Sequence, residues 1–164
     1  MFGSSAFAGW TCACLIIPRL GDLYGRKWPV WFSLLFAFIS HSLIVYSTNM
    51  TFTICLFFVF GACCAGRYST AYVYLIELIP SKHQNIVGSF TMFADSSTLL
   101  IIPLYFIFIS KNWIPFQIFA ISATFVTLIA TLAIPESPKY LYSKKKYDES
   151  RKALQLIGKF NRLS

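Results

Sequence analysis

The 164-residue chain is 57% hydrophobic, 18% aromatic and 12% charged, whereas a soluble domain carries roughly a quarter charged residues. So little charge cannot cover a water-facing surface, and most of the chain must be solvated by lipid. The formal net charge of +8 does not indicate nucleic-acid binding, because eight of the fourteen Lys and Arg fall in residues 139–164, after the last apolar run, and no basic–aromatic recognition motif accompanies them.

A bilayer core of about 30 Å is crossed by roughly 20 apolar residues in a helix, and five runs approach that length. The first, Phe2 to Ile17, is short. It begins apolar at Met1 without a basic n-region, which is not the pattern of a secretory leader. A polar connection, Pro18 to Lys27, leads to the second run, Trp28 to Tyr46, which contains His41. That lone His reads as a hydrogen-bonded helix residue rather than a proton relay. The third run, Phe52 to Leu78, carries Arg67. The fourth, Ile86 to Ile109, carries Asp95 beside the packing hydroxyls of Ser96, Ser97 and Thr98, with Pro103 as an expected kink. The link Ser-Lys-Asn-Trp then opens the fifth run, Ile114 to Ile134. Short links force antiparallel neighbours, and continuous rather than alternating apolarity excludes a β-barrel. The reading is an all-α membrane protein: a transmembrane bundle over residues 1–134, then a cytoplasmic helical segment over 135–164. In that segment Asp148 and Lys152 are spaced as a helical pair, and Leu154, Ile157 and Phe160 form an apolar stripe. One or two short helices against the membrane face are expected there, with a solvated basic tail touching anionic lipid as the alternative.

Alternating the connections puts Arg19, Arg26, Lys27, Lys82 and the eight basic residues of the tail on one side, and Lys111 alone on the other. The positive-inside rule then makes the tail side cytoplasmic and starts the chain outside. Arg67 and Asp95 are ionisable residues deep in apolar runs, where each is costly and needs a partner or a cavity. Arg67 lies ten residues from Glu77, so about 15 Å from the cytoplasmic end, and Asp95 nine residues from Ile86, so about 13 Å. At matching depth on adjacent antiparallel helices, they are expected to pair or to flank one polar cavity. Cys12, Cys14, Cys55, Cys63 and Cys64 all lie in apolar runs without metal-ligand or CxxC spacing, and read as small packing residues. No hydrolytic triad, P-loop or metal constellation occurs, so neither an enzyme nor a cofactor is expected.

Three motifs carry more. In the first connection, Asp22, Gly25, Arg26 and Lys27 form Asp-x-x-Gly-Arg-Lys. There an acid ends one helix, Gly allows a tight turn, and the cations remain free to pair with acids on neighbouring helix ends. This resembles the signature loop between helices 2 and 3 of the major facilitator superfamily, with Pro18 where that family has Gly and Leu23 where it has Arg. Tyr74-Leu75-Ile76-Glu77-Leu78-Ile79-Pro80 is similar to the end of helix 4 in sugar and organic-ion porters, with Gln84 where they place Arg. Pro135-Glu136-Ser137-Pro138-Lys139-Tyr140-Leu141 is similar to the segment after helix 6. Tyr147-Asp148-Glu149-Ser150 and Leu154 to Asn161 are similar to the start of the intracellular helices.

The resemblance covers helices 2 to 6, a partial N-terminal half of a major facilitator fold. It implies a cytoplasmic charge network of Asp22, Gly25, Arg26, Lys27, Glu77 and Glu136; the polar cavity that the depths of Arg67 and Asp95 suggest would be a place for substrate in such a protein. The implied function is part of a secondary-active transporter of sugars or organic ions. The alternative is a truncated, transport-inactive homologue serving as a structural subunit of a larger membrane complex. Expected partners are the lipid bilayer and a small solute, or other membrane subunits, and no nucleic acid. The default location is the plasma membrane. In an organelle the tail would face the matrix.

Overall fold

A computed structural model describes residues 1–109 and 111–160, with only the backbone described at Ser81, Lys159 and Phe160. Ser110 of the fourth link, Asn161 of the porter-like tail and the last residues to Ser164 lie outside the described residues. Five long helices run in order: α1 (Phe2–Tyr24), α2 (Lys27–Tyr46), α3 (Met50–Leu78), α4 (Gln84–Phe108) and α5 (Ile114–Ala133). All five are long and apolar enough to cross a membrane. A single 3-10 turn, Ser81–His83, precedes α4, and two short helices follow: α6 (Pro138–Ser143) and α7 (Tyr147–Phe160).

Local chemistry explains most of the boundaries. Asn49 caps α3, its side chain accepting from the Thr51 N–H at 3.1 Å. Pro80 follows the end of α3, where a residue lacking an N–H stops a helix at little cost. Asn112 likewise accepts from the Ile114 N–H at 3.2 Å at the start of α5, where Pro115 sits in the first turn.

The first helix departs from expectation. The apolar run ends at Ile17, but α1 continues through Pro18 to Tyr24, so only Gly25 and Arg26 separate it from α2. Pro18 removes one hydrogen bond to the Cys14 carbonyl and does not end the helix. The polar last turns, Arg19 to Tyr24, remain helical while still leaning on their neighbours. Gly21 there is buried.

Two seams hold the bundle. Along α1 and α3 the backbones approach so closely that a Cβ at Gly9 would overlap the Phe58 carbonyl, and one at Gly61 the Ala6 carbonyl. Small residues permit such crossings, which supply van der Waals contact where lipid offers no hydrophobic driving force. Ser5 Oγ donates to the Ile54 carbonyl at 2.7 Å across the same seam. Between α2 and α5, Val30, Leu34 and Leu128 form a buried cluster, His41 shares a hydrogen bond with Gln117, and Phe38 tilts against Phe125 at 5.5 Å. By contrast, α4 buries only Gly88 among its described residues and leans on α3 through the contact from the Tyr68 hydroxyl to Met92 Sδ at 3.5 Å.

Aromatic residues of the kind enriched at membrane–water interfaces are exposed at both ends of the bundle. Tyr24 and Trp28 are exposed at one end of the bundle, and Tyr46 and Trp113 at the other. Trp28 to Tyr46 spans about 27 Å of helix, close to the thickness of a hydrocarbon core.

Candidate functional site

The ends of α1, α2, α3 and α5 converge on one charged cluster. The α1–α2 turn starts it. Gly25 has φ 106, a region open to glycine and costly for other residues. A Cβ there would also sit 2.7 Å from Glu136 Oε2. The turn therefore needs glycine for its backbone and for the space that Glu136 fills.

Arg26 follows and joins two helix ends. Its Nη1 lies 2.7 Å from Asp22 Oδ1, one helical turn back on α1, and its Nε lies 3.6 Å from Glu77 Oε1 on α3. The second distance is an ion pair rather than a hydrogen bond. The two pairs differ in environment. Asp22 is 63% exposed, whereas the Arg26 and Glu77 side chains are 18% and 16% exposed, so water screens the first pair far more. Both carboxylates lie in the last turn of a helix, facing the negative end of its dipole. Arg26 offsets that repulsion at two helices at once.

Glu136 uses different chemistry from the one the motif suggests. Its Oε1 accepts three backbone N–H groups, from Arg26 at 2.9 Å, Lys27 at 3.0 Å and Ser137 at 3.1 Å. Among the described residues the ion pairs of Arg26 run to Asp22 and Glu77 rather than to Glu136. Glu136 is thus an anion held at the N-terminus of α2, where unpaired N–H groups and the dipole favour negative charge. Lys27 completes the α2–α5 tie, its Nζ donating to the Leu132 carbonyl at 2.9 Å.

Several members of the cluster are not evident from residue type. Ser137, fully buried, donates from Oγ to Glu77 Oε2 at 2.6 Å and accepts the Tyr140 N–H at 3.3 Å as the cap of α6. The Tyr74 hydroxyl donates to the Pro135 carbonyl, tying α3 to the same segment. Gln84, where the porters place Arg, donates from Nε2 to the Ile76 and Ile79 carbonyls at 3.0 and 3.2 Å, closing the free carbonyls at the end of α3. Tyr74 and Ser137 belong to the motifs themselves, but their partners lie 61 and 60 residues along the chain.

The intramembrane charges occupy a different feature. Arg67 of α3 and Asp95 of α4 line one groove of about 760 Å³ that takes residues from all five long helices, including Trp10, Leu34, Tyr68 and Thr131. No ion pair joins the two among the described residues. Arg67 Nη2 lies 3.5 Å from Cys64 Sγ, and its buried Nε has no hydrogen-bond partner. A groove of this size, mostly apolar with a few convergent polar groups, has the character of a small-molecule site.

Comparison with known proteins agrees with this architecture. The family model described as "Sugar (and other) transporter" matches residues 1–162. Solute carrier family 22 member 2 of Rattus norvegicus is 26% identical over 161 residues, covering 98% of this chain and 29% of the relative. Solute carrier family 22 member 4 of Mus musculus is 28% identical over 163 residues, covering 94% of this chain and 28% of the relative. Solute carrier family 22 member 16 of Xenopus laevis is 23% identical over 156 residues, covering 95% and 27%. The chain spans less than a third of the length of these curated relatives.

Proposed function

Because the chain belongs to the sugar (and other) transporter family, a family of multi-pass membrane proteins, we propose that it forms part of a secondary-active solute transporter working by alternating access. The solute is a small molecule of the sugar or organic-ion class. It would sit in the groove that Arg67 and Asp95 line. The end of the bundle that carries Arg26, Lys27, α6 and α7 would face the cytoplasm, as the Lys and Arg asymmetry favours.

The observation that carries the reading is the cluster centred on Arg26. It links α1, α3 and, through the turn and Glu136, α2 and α5, so any movement of one helix end against another must stretch the same few contacts. Alternating access needs an element with two arrangements whose balance the solute shifts. A set of helix-end ion pairs that closes one side and breaks when it opens fits that need.

The test is uptake of a panel of radiolabelled sugars and small organic cations and anions into cells expressing the assembled transporter of which these residues are part. Arg26→Ala and Glu77→Gln are expected to lower the transport rate at least several-fold at unchanged surface abundance. Asp22→Asn is expected to do less, because its exposed pair contributes only about 0–1 kcal/mol. Full rates in Arg26→Ala would make the cluster structural rather than a gate. An assembled protein that carries these residues, reaches the membrane and moves none of the panel would overturn the transport reading in favour of a structural subunit.

A further inference from the structure

We infer that α6 and α7 form a docking surface for anionic lipid headgroups, independent of the transport reading.

Tethering sets the location. α6 is tied to the ends of the spanning helices: the Tyr140 hydroxyl donates to the Leu23 carbonyl at 2.9 Å, and Ser137 Oγ to Glu77 at 2.6 Å. α7 is in turn fastened to α6 where Ser150 Oγ donates to the Pro138 carbonyl at 3.1 Å. Packed helices lie about 8–10 Å apart. α7 is therefore held beside the level at which Tyr24 and Trp28 leave the hydrocarbon, which is the headgroup layer.

An apolar strip is left uncovered at that level. α7 buries Ser150 and Ala153, yet Tyr147 and Leu154, seven residues apart on one face, are 56% and 57% exposed. Tyr142 of α6 extends the strip, its ring edge-on to Tyr147 at 5.2 Å between centroids. Apolarity alone would suit a protein or a lipid.

Charge decides between them. Residues 139–158 hold six cations (Lys139, Lys144, Lys145, Lys146, Arg151 and Lys152) against Asp148 and Glu149. One acid is already engaged, since Lys146 Nζ lies 3.2 Å from Glu149 Oε1. Three consecutive lysines occupy the corner between the helices, and Lys145 there has φ 61, where glycine is the usual choice. A short amphipathic helix with apolar side chains on one face and Lys and Arg around them is suited to the boundary of an anionic bilayer, and each cation near such a surface adds to the attraction.

The test is hydrogen–deuterium exchange of the full chain in lipid nanodiscs of phosphatidylcholine alone and of phosphatidylcholine mixed with phosphatidylserine. Amides of residues 147–158 are expected to exchange about tenfold more slowly in the anionic discs. Raised salt should shrink that difference. The triple variant K144Q/K145Q/K146Q should abolish it while leaving exchange in the neutral discs unchanged. The salt series on the unmodified chain needs no variant, so the inference stays open to refutation even if the triple variant misfolds. Equal exchange in the two lipids would overturn it and leave the strip to a protein partner. So would a difference that neither salt nor the lysine substitutions reduce.

Discussion

Arg26 is central because it neutralises two carboxylates that each oppose the dipole of their own helix, and Gly25 is what allows it to reach them. The geometry at Gly25 makes two demands, one on the backbone and one on the space beside it. Gly25→Ala introduces a side chain both at a positive φ and 2.7 Å from Glu136 Oε2, and is expected to cost about 1–3 kcal/mol, read as a lower midpoint of thermal unfolding in detergent. Gly25→Asn meets neither demand, because φ 106 with ψ 163 lies outside the left-handed region that Asn tolerates and is essentially confined to glycine. No recovery relative to Gly25→Ala is therefore expected with Asn. Full stability in either variant would mean that the turn relaxes to an ordinary backbone conformation at no cost. At this scale the sequence was legible for charged residues and silent about their partners. Arg26, Glu77 and Glu136 stand out because each lies beside a turn-forming Gly or Pro at the end of an apolar run. That Glu136 binds backbone N–H groups 109 and 110 residues away, and that Ser137 reaches Glu77, depends on which helix ends meet, and no local pattern encodes that.

Among the elements, apolar run length predicts that a helix exists better than where it stops. The five runs correspond to five helices, but α1 overshoots its run by seven residues, because the end of an apolar run is not a helix stop signal and polar residues continue a helix readily. The α1–α3 seam was equally hidden. Its signal is small residues at spaced positions, Gly9, Ala13, Gly61 and Ala65, and these attract no notice within strongly apolar stretches. The seam makes its own prediction. Gly61→Val would drive a branched side chain into the Ala6 carbonyl, so the helices must separate and lose the contacts that hold them. The expected loss is about 2 kcal/mol or more, on the scale of overpacking a tight core. Ser5 should be released from the Ile54 carbonyl in the same step. A lower unfolding midpoint, together with faster exchange at the N-terminal half of α1, is the signature to look for. An unchanged midpoint would mean that the close approach contributes nothing.

In the whole molecule, stability is distributed unevenly, and the unevenness falls on the groove. α1, α2 and α3 are interlocked, and α5 is fastened to α2 by the Val30, Leu34 and Leu128 cluster, by the His41–Gln117 bond and by Lys27 on the Leu132 carbonyl. α4 has only Gly88 buried among its described residues, yet it supplies Asp95 to the groove wall. Local opening is easiest where few side chains are buried, so the groove is bounded by one firm wall, α3, and one loosely held wall, α4. In detergent, where a micelle rather than an ordered bilayer surrounds α4, amides of Val87 to Ile102 are expected to exchange at least about tenfold faster than those of Leu56 to Tyr74. That corresponds to a difference in opening free energy of about 1.4 kcal/mol or more. Removing the acid with Asp95→Asn should narrow the gap, because an ionisable side chain within a span, with no ion pair among the described residues, favours the opened, hydrated state. If the two helices exchange alike, α4 is held by the bundle as firmly as α3, and the groove has no movable wall through which a bound solute could bias one arrangement over another.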